Sequence, residues 1–121
     1  MNLKLLNTLL KLGALIVLPV FLFSCSKGEQ KAEAPLSDLA KKGKGVYMAN
    51  CIVCHNPDPK IAGSIGPDIA WSSEELIRER VMRRAYPAGY TPKRKSDQMP
   101  DFPQLEGDIP ALAAYLNSFT K

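Results

Sequence analysis

Cys51-Ile52-Val53-Cys54-His55 constrains this chain more than any other stretch, because it sets two thiols and an imidazole within five residues. Two intervening residues let both sulfurs reach the same edge of a porphyrin, while the histidine next along turns its ring under the metal. C-x-x-C-H therefore reads as a covalent haem attachment site, in which each thiol adds across one vinyl group. Three other readings compete. A structural zinc site wants four Cys or His ligands, and the chain holds three cysteines and one histidine in all, with Cys25 in a different motif. A redox-active dithiol calls for a βαβ setting, whereas the flanks here read as helical and proline-rich. The third is chance packing of small apolar cysteines beside a histidine.

On this motif the chain resembles the c-type cytochromes. The resemblance implies one covalent haem c, with Cys51 and Cys54 as thioether anchors and His55 as the proximal iron ligand. It also implies export, since haem attachment in that family takes place outside the cytoplasm.

The N-terminal region is consistent with export. Lys4 and Lys11 precede a continuous apolar run of twelve residues, Leu12 to Phe23. That run is short for a bilayer span, and a basic flank before a short apolar core is the signal-peptide pattern. A retained transmembrane anchor is the alternative, because the run can extend back through Leu5. Leu22-Phe23-Ser24-Cys25 resembles a bacterial lipobox, with Phe23 departing from the usual small residue, and implies lipidation of Cys25. With two cysteines used on haem, lipidation also accounts for the odd one in an exported chain. The expected organisation is a lipoprotein signal peptide over 1–24, a lipid-anchored linker over 25–36 and a cytochrome c domain over 37–121. The linker is polar, of mixed charge and without hydrophobic period; its eleven residues from Ser26 have an r.m.s. span of roughly 18 Å. The expected location is a membrane, on its periplasmic or outer-surface side.

Charge excludes one class of partner. The formal balance is +4, and once Lys4 and Lys11 leave with the leader it falls to +2, fourteen basic against twelve acidic residues. Such a balance gives no footing for nucleic acid.

From Ser37 onward the pattern is helical. Ser37 is a candidate N-cap, and Leu39, Ala40, Gly43, Val46, Tyr47 and Asn50 recur at the spacing of one helix face. Glycine costs about 1 kcal/mol in a helix interior, so of Gly43 and Gly45 at least one is expected to permit a close approach. Ser72 or Ser73 caps a second helix over Glu74 to Ala85, with Leu76, Ile77 and Val81 apolar and Glu74/Arg78 and Glu79/Arg83 paired at i,i+4. A last helix is capped by Asp108, admits Pro110 in its first turn and carries Ile109, Leu112, Ala113, Leu116 and Phe119. No strand is needed. Gly43-x-x-x-Tyr47-x-x-x-Cys51 and Leu112-x-x-Tyr115-Leu116 resemble the first and last helices of class I cytochromes c. The expected fold is thus all-α, three to four short helices wrapped around one covalently bound haem. So small a domain has a thin core of its own, and the chain without haem is expected to be poorly folded.

Two loops carry the remaining site residues. His55 to Trp71 is rich in proline and glycine, and Ile65-Gly66-Pro67-Asp68 matches an element in which the proline carbonyl accepts the ligand histidine's N–H. By that resemblance Pro67 fixes the His55 tautomer, a simple turn proline being the alternative. Trp71 is expected in the core near a haem propionate, or as plain packing. Tyr86 to Gln104 holds four prolines in nineteen residues and cannot be one helix; a loop that long calls for a function. The lone histidine rules out bis-histidine ligation, leaving methionine, lysine, a weaker donor or an open iron. Gln98-Met99-Pro100-x-Phe102 resembles the family's distal loop, which makes Met99 the sixth ligand; Met48 and Met82 lie on helices and are poorly placed.

A filled His/Met iron implies a one-electron carrier shuttling electrons between membrane-associated redox proteins, not an enzyme. It would act as a monomer and meet partners over the haem edge, with Lys93-Arg94-Lys95 as a basic rim or an ordinary solvated charge run. The alternative is a haem enzyme or gas sensor in which a labile Met99 leaves an open iron.

Overall fold

The computed structural model describes residues 34–121. The expected leader, the expected acylation site Cys25 and the expected linker as far as Glu33 lie outside the described residues. The elements are α1 (Asp38–Asn50), α2 (Glu74–Arg83), a 3-10 helix (Pro103–Asp108) and α3 (Ile109–Leu116). No strand occurs among the described residues, and the all-α expectation holds.

α1 begins where Ser37 Oγ accepts the Ala40 N–H at 3.2 Å, satisfying one of the donors that a helix start leaves open. Its buried residues are Ala40, Gly43 and Tyr47, at the i, i+3, i+7 spacing of one face. Leu39 does not share that face: it is 50% exposed, because one residue before Ala40 is a step of about 100° around the helix. The buried face packs on α3, of whose eight residues six are buried. Gly43 makes this possible, since a β-carbon there would overlap the Ala111 carbonyl, whereas one on Gly45 would meet nothing. Tyr47 is fully buried, with its ring 5.5 Å from that of Tyr115, which in turn meets Phe119 edge-on at 5.3 Å.

α2 is capped by Ser73, whose Oγ accepts the Leu76 N–H at 3.1 Å, and both anticipated ion pairs form, Arg78–Glu74 at 3.1 Å and Arg83–Glu79 at 2.7 Å. The helix ends at Arg83, two residues short of the predicted Ala85. Arg84 turns left-handed at φ 57°, and its N–H bonds back to the Arg80 carbonyl at 3.2 Å, the αL type of helix closure.

At α3 two expectations change. Asp108 occupies the cap position with no side-chain cap bond, because the 3-10 helix runs straight into α3 there and its carboxylate instead pairs with Lys42 of α1 at 2.7 Å. The helix closes at Leu116, so Phe119 joins the core from beyond its end.

The asymmetry between the two glycines of α1 is testable by thermal unfolding. Gly43→Ala forces α1 and α3 apart and is expected to lose at least about 1–3 kcal/mol. Gly45→Ala relieves a helix-interior glycine and should gain up to about 1 kcal/mol.

Candidate haem site

The backbone of α1 continues past Asn50 into the thiol motif. The Cys51 N–H bonds to the Tyr47 carbonyl at 2.9 Å, and the Cys54 and His55 N–H groups both return to the Cys51 carbonyl at 3.2 and 2.9 Å. This is one further helical turn, and it gathers both sulfurs and the imidazole at one place. The Tyr47 hydroxyl pins the end of the turn by donating to the Asn56 carbonyl at 2.6 Å. Burial, before any nearby charge, holds that phenol above its usual range. Burial likewise pushes the Cys51 thiol up to about 11, with Cys54 adding to it. Neither sulfur is engaged in a disulfide.

The following loop folds back over the turn. The Gly66 N–H bonds to the Cys54 carbonyl at 2.9 Å, and the Gly63 N–H to the Gly66 carbonyl at 2.9 Å. Neither glycine admits a side chain: a β-carbon on Gly63 would overlap the Cys54 carbonyl, and one on Gly66 would run into the His55 ring. The next residue completes the clamp, with His55 Nδ1 2.9 Å from the Pro67 carbonyl. Since a carbonyl only accepts, Nδ1 carries the proton and the free lone pair belongs to Nε2. Burial lowers the His55 pKa, outweighing the opposing effect of the Pro67 bond, and the Arg94 and Arg80 guanidiniums lower it further. The ring is thereby held neutral, the form that binds a metal.

A cavity of about 350 Å³ opens beside these groups, within the range of small-molecule sites. Cys51, Cys54, His55 and Met99 line it, with apolar side chains of α2 and α3 including Ile77, Val81 and Leu112. Its charged lining residues are Arg80, Lys93 and Arg94, with no carboxylate among them. This lining fits a haem: apolar surface for the macrocycle, two thiols for its vinyl groups, an imidazole and a thioether for its iron, and cations for its two carboxylates. It does not suit zinc, as no three His, Cys, Asp or Glu side chains form a metal-binding group among the described residues.

Met99 is brought to the cavity by ties on both sides of it. Arg84 Nη2 donates to the Asp97 carbonyl at 2.8 Å, and the Phe102 N–H to the Val81 carbonyl at 2.7 Å. Met48 and Met82 do not line the cavity.

Trp71 and the basic triplet each carried two readings. Trp71 does not line the cavity; its indole N–H donates to the Phe119 carbonyl at 2.9 Å and its backbone N–H to Leu116 at 2.8 Å, so it fastens the end of α3. In the basic triplet, Lys93 binds the carboxylate and, at 3.0 Å, the carbonyl of Asp68, while Arg94 Nη1 binds the Gly63 and Ile65 carbonyls at 3.1 and 3.0 Å. Two of the three cations thus make contacts within the domain. The steric role of Gly63 and Gly66 and the contacts of Arg94 were not anticipated. The glycines had a usable signal, three residues apart with the second directly before Pro67; Arg94, across a gap of about thirty residues, had none.

Gly66→Ala should displace the His55 ring. The yield of haem-loaded protein and its melting temperature are expected to fall, whereas Gly107→Ala, in open space, leaves both unchanged.

No match is found among curated proteins or solved structures. A family model described as Cytochrome c matches residues 40–120, which takes in the thiol turn, the Pro67 loop, the Met99 loop and all but the first two residues of the helical elements. The chain belongs to the cytochrome c family, whose members bind haem c covalently.

Proposed function

We propose that this protein is a one-electron carrier in which His55, through Nε2, and Met99, through Sδ, would hold the haem iron. Haem-based electron transfer follows from the family; the ligand pair is supported by the fact that Met99, alone of the three methionines among the described residues, lines the cavity with His55. When bound, the haem supplies a ferrous/ferric couple, and histidine with methionine as ligands raises its potential. The protein's part is to hold those donors still and keep water out: Gly66 and Pro67 fix the imidazole, and α2 and α3 supply apolar wall. An enzymatic reading finds little to work with. The chain's one histidine would be spent as a ligand, and among the described residues no carboxylate lines the cavity for acid–base work.

Partners would meet the protein where apolar cavity-lining residues reach solvent. Val53 is 82% exposed and Ile65 39%, and both line the cavity, which supports an apolar docking edge more than a basic rim. A lipid on Cys25, followed by the linker, would tether the carrier to its membrane while leaving it free to reorient.

Met99→Ala should keep the haem but lose the ferric thioether band, lower the potential and admit carbon monoxide to the ferrous protein. Met48→Ala and Met82→Ala should keep the band; its loss in either, with Met99→Ala unaffected, moves the ligand. Cys25→Ser should release the protein from membranes with its spectrum intact, and labelling with a radioactive fatty acid checks the acylation site.

A further inference from the structure

We infer that Arg94, with the Lys93–Asp68 pair beside it, is a positioning device that straps the Met99 loop to the loop holding His55. The inference rests on Met99 being the sixth ligand. Arg94 lies five residues before Met99 and sends Nη1 across to the Gly63 and Ile65 carbonyls at 3.1 and 3.0 Å, with Ser64 at 3.4 Å. Those residues directly precede Gly66, which lies flat against the imidazole, and Pro67, which accepts its proton. One residue earlier in the Met99 loop, Lys93 grips Asp68, the residue after Pro67. The strap therefore brackets the His55 clamp on both sides.

The other ties of the Met99 loop run elsewhere. Arg84 to Asp97 and Phe102 to Val81 both fasten it to α2 or its cap. Arg94 and Lys93 link the two ligand-bearing loops; with that link gone, Met99 would hang chiefly from α2. Guanidinium bonds to carbonyls are charge-assisted and stronger than neutral ones. The Lys93–Asp68 pair is exposed on both sides, so its share is smaller. The Asp68 carboxyl is held below its ordinary value, chiefly by the bond from Lys93, in keeping with a formed contact. Loosening the strap would let Met99 leave more often while His55 stays held by Gly66 and Pro67.

The test uses full-length haem-loaded protein, comparing wild type with Arg94→Ala, Arg94→Lys, Lys93→Ala, Asp68→Ala and the Lys93→Ala/Asp68→Ala double variant. The readouts are the rate of carbon monoxide uptake by the ferrous form and the reduction potential. Arg94→Ala should speed uptake roughly tenfold and lower the potential, with partial rescue in Arg94→Lys. Lys93→Ala and Asp68→Ala should each give roughly a two- to fivefold increase, and the double variant no more than the larger single one, as expected for partners in one contact. Uptake and potential unchanged in Arg94→Ala overturn the strap. So does a response confined to Arg94→Ala, because that residue then acts on the cavity and not through the loop. Asp68 does not line the cavity, so its variant decides the matter even where Arg94→Ala fails to fold. Met99→Ala, measured alongside, tests the ligand assignment separately: if it keeps the wild-type spectrum, that assignment fails whatever the strap does.

Discussion

The bond between His55 Nδ1 and the Pro67 carbonyl is the contact around which the site is assembled. It leaves the imidazole with one free lone pair, on Nε2, and burial keeps the ring neutral. The surrounding backbone serves that arrangement. Tyr47 fixes the far end of the thiol turn from below, and Gly66 brings the loop close enough for Pro67 to reach the ring. The two glycines that matter most, Gly43 and Gly66, do the same work at different scales. One lets a helix cross another helix, and the other lets a loop lie on an imidazole.

A cavity of about 350 Å³ beside the core of so small a domain has an energetic consequence. The buried cluster of Tyr47, Ile77, Val81, Leu105, Ile109, Leu112, Ala113, Tyr115 and Leu116 is small, and several of its members spend one side on the cavity wall. A haem in that space completes the core as well as the redox centre, which is the physical basis for expecting little fold without it. The same apolar wall would keep water from a bound haem, and the loss of hydration there would favour the less charged state of the centre.

Much of this was legible beforehand because it depends on local spacing. The thiol motif, the caps at Ser37 and Ser73, the ion pairs of α2 and the apolar stripes of α1 and α3 are all set within one or two helical turns. What was hidden depended on contacts between distant residues. Asp108 read as a cap from its position alone, yet Lys42 of another helix claims its carboxylate. Trp71 read as a residue near a propionate or as plain packing; its indole N–H bonds to the Phe119 carbonyl, 48 residues away along the chain. Lys93 and Arg94 read as a charge run, and only the fold shows that Asp68 and the carbonyls of residues 63–65 lie opposite them. The end of α2 was missed for a local reason, since arginine gives no warning that it will adopt a left-handed turn.

The central claim is a covalently held haem with both axial positions filled by His55 and Met99. It is tested most directly by visible spectra of the full-length wild-type protein, ferric and ferrous, with and without carbon monoxide. A thioether band in the ferric form and a ferrous spectrum unmoved by carbon monoxide are the predicted result. A ferric form lacking that band, together with ready carbon monoxide binding by the ferrous form, would contradict the account and mark the iron as open.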